Sequence, residues 1–277
     1  MNPSFSIEIE QKEFTLSDHQ AILKKRQKKI MKNTQLLNKI LTKSTSTGLI
    51  GAETSCSICV FDLDSTLFNV SPRTEQILKE FAEANQWPRF SKIKVHPKDW
   101  GLKEIMIREG YDFNEASPEN LNLHKQLVAF WSEKFFTNQY LEFDTPYLGA
   151  VHFVQTLFAK NIDIHYLTGR DIQRMGSGTD RVLRKWGFPI LTPAHLHLKP
   201  NKDLDDHQFK LDWVIDFKKK YKNSRIFFFE NEPVNINAIG AAVPDIEIVY
   251  LNTTHSRRGI VNVPVTEIDD FNLEKSF

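Results

Sequence analysis

The chain has few of the residues that mark secreted or membrane-inserted proteins. Its 277 residues include only two cysteines, which are too few for a disulfide framework. It has no apolar run of roughly eighteen residues, so no membrane-spanning helix is expected. The opening MNPSFSIEIEQKEF lacks the basic start and apolar centre of a secretory signal. Together these absences predict a cytoplasmic protein.

The two cysteines, Cys56 and Cys59, are spaced as C-x-x-C. This spacing is compatible with a redox pair or with half of a metal site. The chain has no second cysteine pair, and the surrounding residues form an apolar run. We therefore favour buried, reduced cysteines with a structural role.

Positive charge is concentrated at the start of the chain. The formal net charge is +1, but residues 1–50 hold nine Lys and Arg against four Asp and Glu, an excess of +5 that leaves −4 elsewhere. Ser17 and Gln20 form a capping-box pattern that predicts a helix. Its apolar face consists of Leu23, Ile30, Leu37 and Leu41. No aromatic residue interleaves with its basic residues, so docking on the core is favoured over binding to nucleic acid or an anionic membrane.

Five apolar runs alternate with helical patterns along most of the chain. The runs are SCSICVFDLD, NIDIHYLTGR, AHLHLKP, SRIFFFENE and DIEIVYLNT. Continuous apolar runs are typical of strands that are buried on both faces of a sheet. The alternation predicts an α/β fold with a Rossmann-like parallel sheet covered by helices.

Residues 71–147 interrupt this alternation with helical patterns that are rich in aromatic residues. We therefore predict three regions. Residues 1–50 form a basic helical extension and linker, residues 51–70 and 148–277 form the α/β core, and residues 71–147 form a helical insertion between the first two core strands.

Polar residues follow three of the apolar runs. Asp62 and Asp64 follow the first, Thr168 follows the second, and Glu230 and Asn231 follow a later one. Because ligands bind beyond the carboxyl ends of parallel strands, these side chains are expected to line one pocket. Two nearby carboxylates repel each other and favour a bound cation, for which Mg²⁺ with its oxygen ligands is suited. One carboxylate can then attack a phosphorus atom while the other acts as an acid and base.

The order of these motifs resembles that of the haloacid dehalogenase (HAD) superfamily. FDLDSTLF is similar to its first motif, D-x-D-x-T/V, and IHYLTGR is similar to its second. HQFKLDWV resembles the third motif and IFFFENEPVN the fourth. The resemblance spans about residues 55–250, and the helical insertion stands where members of the superfamily carry a cap. It implies a HAD-like core with a helical cap.

The resemblance also implies roles for individual residues. Asp62 would be the nucleophile that forms an aspartyl-phosphate, and Asp64 the general acid and base, with its backbone carbonyl on Mg²⁺. Thr168 would bind the transferring phosphoryl oxygens, and Lys210 would neutralise charge. The residues expected to contact phosphate or substrate are Ser65, Thr66, Gly169 and Arg170.

Two assignments stay open, and one group of residues is expected to have no functional role. The third-motif lysine is Lys210, favoured for its place at a helix start, or Lys199, which precedes a proline. The fourth-motif metal ligand is Asn231, with Glu230 as its partner, or Glu230 itself. His195 and His197 alternate with leucines and have no evident ligand partners, so they are expected to be structural.

The resulting hypothesis is a cytoplasmic, magnesium-dependent phosphatase that acts on a small phosphorylated substrate. An acid at position 64 favours phosphoryl transfer to water over dehalogenation. The alternatives are a phosphotransferase, a polynucleotide phosphatase that uses the basic helix, and a catalytically weak binding or scaffold protein of the same fold.

Overall fold

A computed structural model describes residue 24 and residues 32–43, 57–111, 118–192 and 195–273. The expectations for Cys56 and for most of the basic helix, including Ser17, Gln20, Leu23 and Ile30, lie outside these ranges. Residues 32–43 are helical (α1). Leu37 and Leu41 on this helix are buried against the core, which agrees with the predicted docking.

The remaining elements are as follows. The strands are β1 (Ser57–Phe61), β2 (Phe68–Asn69), β3 (Thr145–Pro146), β4 (Asp163–Asp171), β5 (Leu196–Lys199), β6 (Arg225–Glu230), β7 (Glu247–Leu251) and β8 (Thr266–Ile268). The helices are α2 (Ser71–Ala84), α3 (Leu102–Arg108), α4 (Pro118–Phe135), α5 (Ala150–Ala159), α6 (Ile172–Trp186), α7 (Asp206–Lys220) and α8 (Pro233–Ala242). None of the helices in the described ranges is both long and apolar enough to cross a membrane.

Six strands form a parallel sheet in the order β5-β4-β1-β6-β7-β8. The predicted α/β class and parallel sheet are confirmed. The edge strand β8 was not predicted, because it is only three residues long and lies outside the five apolar runs. β4 also continues beyond Thr168 to Asp171, with a shift in its pairing to β5 between these two residues.

The two faces of the sheet are covered by different helices because strand residues alternate in direction. In β1, Cys59 and Phe61 belong to the cluster that α1, α5 and α6 complete. Ile58 and Val60 belong to the opposite cluster, against α7 and α8. All five residues of β1 are buried, as expected for a central parallel strand.

The helical segment, residues 71–144, leaves the core between β2 and β3, which pair with each other in antiparallel fashion. Its described part contributes helices and no strand to the main sheet. It has an apolar core of its own, built around Leu78, Phe81, Phe90, Ile105 and Leu127. The segment is therefore a separately packed layer over the end of the sheet that carries Asp62 and Asp64.

Candidate active site

A tight turn follows β1 and carries the two aspartates of the first motif. The Leu63 carbonyl accepts hydrogen bonds from the amides of Leu67 and Phe68, both at 2.9 Å. Ser65 has a φ of 63°, which an L-residue adopts only when neighbouring contacts hold it there. The Thr253 hydroxyl donates to the Ser65 carbonyl and supplies such a contact. The turn therefore holds Asp62 and Asp64 at the cavity beyond the strand end.

Lys210 is the lysine that contacts Asp62. α7 begins at the cap residue Asp205, whose side chain accepts from the Gln208 amide. Lys210 Nζ lies 2.6 Å from Asp62 Oδ1 and 2.7 Å from Glu230 Oε2, and all three side chains are buried. Lys199 instead donates to the Leu204 carbonyl at 2.8 Å and pairs with Asp206.

Burial is the largest single influence on the pKa values of Asp62 and Lys210. It raises the pKa of Asp62 to about 7, and Glu230 adds to the rise while Lys210 opposes it. Burial works against the charged form of Lys210 as well, but Asp62 and Glu230 outweigh it and raise the pKa of Lys210. The lysine therefore stays protonated, and a bound cation would favour the carboxylate form of Asp62 near neutral pH.

Glu230 and Asn231 have different surroundings. Glu230 Oε1 accepts from the amides of Asn231 at 2.9 Å and Glu232 at 3.0 Å. Its Oε2 accepts from Lys210 at 2.7 Å and from Asn235 Nδ2 at 3.0 Å. These bonds use the four acceptor positions of a carboxylate. Glu230 therefore anchors Lys210 and the start of α8.

Asn231 is oriented by contacts on both sides of its amide. Its Nδ2 donates to the Thr254 carbonyl at 2.6 Å, and its Oδ1 accepts from Thr66 Oγ1 at 3.1 Å. An amide oxygen has a second lone pair, which these contacts leave for another partner. Thr66 is fully buried, and its hydrogen bond holds Asn231 at the cavity wall.

Asp64 is held by two arginines. Its Oδ1 accepts from Arg170 Nε at 3.0 Å and from Arg73 Nη2 at 3.4 Å. Both guanidinium groups are buried and also bind Asp144, whose side chain is fully buried. Burial alone would raise the pKa of Asp64, but Arg170 and Arg73 lower it to about 2. Asp64 is therefore an anion at neutral pH in this conformation.

The other predicted contact residues fall into two groups. Ser65, Thr168 and Gly169 line the cavity, and Thr168 Oγ1 accepts from the Arg170 amide at 3.3 Å. A Cβ atom at position 169 would lie 2.6 Å from Asp206 Oδ2, so glycine allows β4 to pass close to the start of α7. The guanidinium of Arg170 is engaged by carboxylates, although the residue reaches the cavity.

The cavity has a volume of about 950 Å³ and lies between the sheet and the helical segment. Its core side is polar, with Asp62, Asp64 and Lys210. The helical segment contributes mainly apolar side chains, namely Val95, Trp100, Leu102, Ile105, Val128, Trp131, Phe135 and Phe136. Such a site fits a ligand with a charged end and a larger, less polar body.

The sequence reasoning missed Arg73 and Asp144. Arg73 lies on α2, and its partner Asp144 follows 71 positions later, so no local spacing links them. The sequence held one clue, because Arg73 falls on the apolar face of α2, together with Ile77 and Phe81. A buried arginine requires an anionic partner, but this rule does not identify the partner.

The expectation that His195 lacks ligand partners is wrong, because it forms a group of potential ligands with Asp163 and His165. His197 lies outside this group, and its structural role stays a prediction. His197 Nε2 lies 3.0 Å from His165 Nδ1, and His195 Nε2 lies 3.2 Å from Asp163 Oδ1. Asp163 and His165 lie on β4, His197 lies on β5 and His195 directly precedes β5, so their proximity depends on the pairing of these two strands.

A family model described as a haloacid dehalogenase-like hydrolase matches residues 56–188. The comparison with curated proteins found no significant match.

Several solved structures are distantly similar to the chain. A HAD-superfamily hydrolase of subfamily IA from Geobacter sulfurreducens is 12% identical, with a TM-score of 0.47, over 78% of this chain and 92% of the other. The class C acid phosphatase from Bacillus anthracis with tungstate bound is 15% identical, with a TM-score of 0.39, over 83% and 73%. A HAD family hydrolase from Deinococcus radiodurans with bound phosphate and sodium is 16% identical, with a TM-score of 0.42, over 70% and 80%.

Proposed function

We propose that this chain, whose residues 56–188 match a model of haloacid dehalogenase-like hydrolases, is a magnesium-dependent phosphatase of phosphomonoesters. The observation that carries this proposal is the contact between Asp62 and Lys210, at 2.6 Å in a buried site beyond the end of β1. A buried lysine beside a carboxylate neutralises part of the charge that a phosphoryl group brings. Thr168 supplies a hydroxyl in the same cavity.

In the proposed reaction, Asp62 attacks phosphorus and forms an Asp62 oxygen–phosphorus bond while the bond to the ester oxygen breaks. Asp64, protonated once its contacts with Arg73 and Arg170 loosen, gives a proton to the departing oxygen. Asp64 then takes a proton from water, whose oxygen displaces phosphate from Asp62 and restores the carboxylate. Lys210 stays bound to Glu230 throughout, which keeps its charge directed at Asp62.

The donor set at the site fits Mg²⁺. Asp62 and Asn231 offer a carboxylate and an amide oxygen, and the backbone carbonyl of Asp64 would add a third hard ligand. Glu230 is not included, because its four hydrogen bonds already use its acceptor positions. When bound, the ion supplies positive charge that favours the Asp62 carboxylate and offsets the charge of the phosphate.

The helical segment is proposed to act as the cap that selects the substrate. Its apolar side chains form the cavity wall that faces Asp62 and Asp64. It also contacts the core at a second place, because the Lys98 carbonyl accepts from Thr254 Oγ1 at 3.1 Å. Binding between the two layers would exclude water from the phosphoryl group. The proposed substrate is a small phosphomonoester whose organic part contacts this wall.

The test of the function is hydrolysis of an aryl phosphate and of a panel of phosphorylated metabolites by the purified protein. We expect phosphate release that requires Mg²⁺. Protons and cations compete for Asp62, whose pKa is raised to about 7, so the magnesium requirement should be greater at pH 6 than at pH 8. The absence of turnover on every phosphomonoester, with a folded protein and saturating Mg²⁺, would contradict the proposal.

The metal assignment predicts a specific effect at Asn231. Replacing Asn231 with Ala should raise the Mg²⁺ concentration for half-maximal activity by at least about tenfold, because a direct oxygen ligand is lost. Asn237→Ala provides a matched control on α8, since the Asn237 amide donates to the Ile260 carbonyl away from the site. An unchanged magnesium requirement in Asn231→Ala would exclude this residue as a ligand.

The acid role of Asp64 predicts an effect that depends on the leaving group. Asp64→Asn should reduce hydrolysis of alkyl phosphates by about 10²-fold or more and should reduce aryl phosphate hydrolysis much less. Aryl oxygens leave as stable anions, whereas alkyl oxygens need the proton. Comparison of the two kcat values within one variant corrects for any change in folding. An equal loss on both substrates would argue against proton donation by Asp64.

A further inference from the structure

Asp163, His165 and His195 form a second cluster of potential metal ligands, away from the candidate active site. His165 Nε2 lies 3.1 Å from Asp163 Oδ2, and His195 Nε2 lies 3.2 Å from Asp163 Oδ1. One ligand atom from each residue lies within 4.8 Å of the others. This separation suits atoms that surround a single ion at about 2 Å each.

The cluster is at the opposite end of the sheet from Asp62. Asp163 begins β4 and pairs in register with Ile58, near the start of β1, whereas Asp62 follows the end of β1. Asp163 and His165 are two residues apart on β4 and therefore share a face. His195 precedes β5, the neighbouring edge strand. We propose that Asp163, His165 and His195 form a second metal site that binds Zn²⁺.

Each histidine is already oriented by its other ring nitrogen. His165 Nδ1 lies 3.0 Å from His197 Nε2, and His195 Nδ1 lies 3.0 Å from Thr192 Oγ1. Histidines that bind metals commonly donate their second N–H to an acceptor, which fixes the ring and leaves the first nitrogen for the ion. Here His197 and Thr192 are the partners of the Nδ1 atoms. The Nε2 atoms of His165 and His195 both lie next to the Asp163 carboxylate.

The ring of His165 is further restrained by packing. It contacts Phe217 on α7 edge-on, with ring centroids 4.8 Å apart, and His197 stacks beside it at 5.2 Å. The exposed fractions of the side chains are 6% for His165, 20% for His195 and 36% for Asp163. The site is thus rigid on its inner side and open to water on its outer side.

The chemistry of the ligands separates this site from the proposed magnesium site. Two imidazole nitrogens and one carboxylate suit Zn²⁺, which binds His at about 2.0–2.1 Å and leaves a fourth position for water. Mg²⁺ prefers an all-oxygen shell and is not expected to bind here. The ion would link the start of β4 to the segment before β5 and so secure the edge of the sheet.

The experiment is calorimetric titration of the chelator-treated full chain with Zn²⁺, and with Mg²⁺ for comparison, combined with thermal unfolding. We expect tight binding of Zn²⁺ at this site and a higher unfolding temperature. Any heat or stabilisation from Mg²⁺, which the proposed active site would bind, should be the same in His195→Ala as in the wild type. His195→Ala and Asp163→Asn alter partly exposed side chains and should weaken this binding by at least about 100-fold. His152→Ala, an exposed histidine on α5, is the matched control and should bind as the wild type does.

A second control separates the two sites, because Zn²⁺ can also bind carboxylates. Asn231→Ala should keep the tight Zn²⁺ site, and Co²⁺ substituted for Zn²⁺ should give the visible absorption of a nitrogen-ligated ion that disappears in His195→Ala. If the chelator-treated protein binds no Zn²⁺, or if His195→Ala and Asp163→Asn bind it as tightly as the wild type, the cluster is only a hydrogen-bonded network and the proposal is wrong.

Discussion

Asp62→Asn is expected to leave a folded protein whose kcat for an aryl phosphate is lower by at least about 10³-fold. The amide keeps the shape of the side chain but cannot form the acyl-phosphate bond that the proposed reaction requires. Lys210 keeps its 2.7 Å contact with Glu230, so the buried charge retains a partner and the fold is preserved. The measurement is single-substrate kinetics on wild type and variant, with thermal unfolding to verify folding.

Two further observations sharpen this test. Beryllium fluoride should form an adduct with the wild-type protein and not with Asp62→Asn, because the adduct needs the carboxylate oxygen. Asp212→Asn is a suitable control, since Asp212 lies on the exposed side of α7 and accepts only from Gln208 among the hydrogen bonds described for it. If Asp62→Asn keeps more than about a tenth of the activity, Asp62 is not the nucleophile.

Asp144→Asn is expected to lower the free energy of unfolding by about 3–5 kcal/mol. Asp144 Oδ1 accepts from Arg73 Nε at 2.8 Å, and its Oδ2 accepts from Arg170 Nη2 at 2.7 Å. The side chains of all three residues are almost completely buried. Removal of the anion leaves two buried guanidinium groups that share only Asp64, and a buried charge without compensation is unfavourable.

Urea unfolding of wild type and variant measures this loss. The matched control is Asp180→Asn, which removes one member of an exposed ion pair with Arg184 at 2.9 Å. The control should change stability little, because water solvates both partners. An Asp144→Asn protein as stable as this control would show that the arginines do not depend on Asp144.

The cluster of Asp144 with Arg73 and Arg170 also connects the helical segment to the proposed chemistry. Arg73 comes from α2 and Arg170 from β4, and both contact Asp64. The same arginines lower the pKa of Asp64 to about 2, although its side chain remains 34% exposed. Donation of a proton by Asp64 therefore requires that these contacts loosen. A movement of the helical segment relative to the core would loosen the contact between Arg73 and Asp64. We hypothesise that substrate binding causes this movement and so couples binding to proton transfer.

Much of the fold was readable from local sequence. The apolar runs at β1, β4, β6 and β7 predict buried strands because a strand covered on both faces needs apolar residues on both. The pair Asp62 and Asp64 was recognisable because two carboxylates directly after such a strand are unfavourable without a ligand or a turn to stabilise them. The short strand β8 was not predicted, since a strand of three residues is too short to be recognised from its own residues.

The sequence by itself determined the α/β class and the strand-end position of the two aspartates, and it predicted a helical insertion over residues 71–147, because each depends on the order of neighbouring residues. Only the tertiary structure decided which lysine reaches Asp62, since Lys199 and Lys210 both follow plausible patterns and Lys210 lies 148 positions from its partner. It also decided the different surroundings of Glu230 and Asn231, the pairing of Arg73 with Asp144, and the gathering of Asp163, His165 and His195. Those contacts join residues distant in the chain, and their partners are set by how strands and helices pack, which no local pattern encodes.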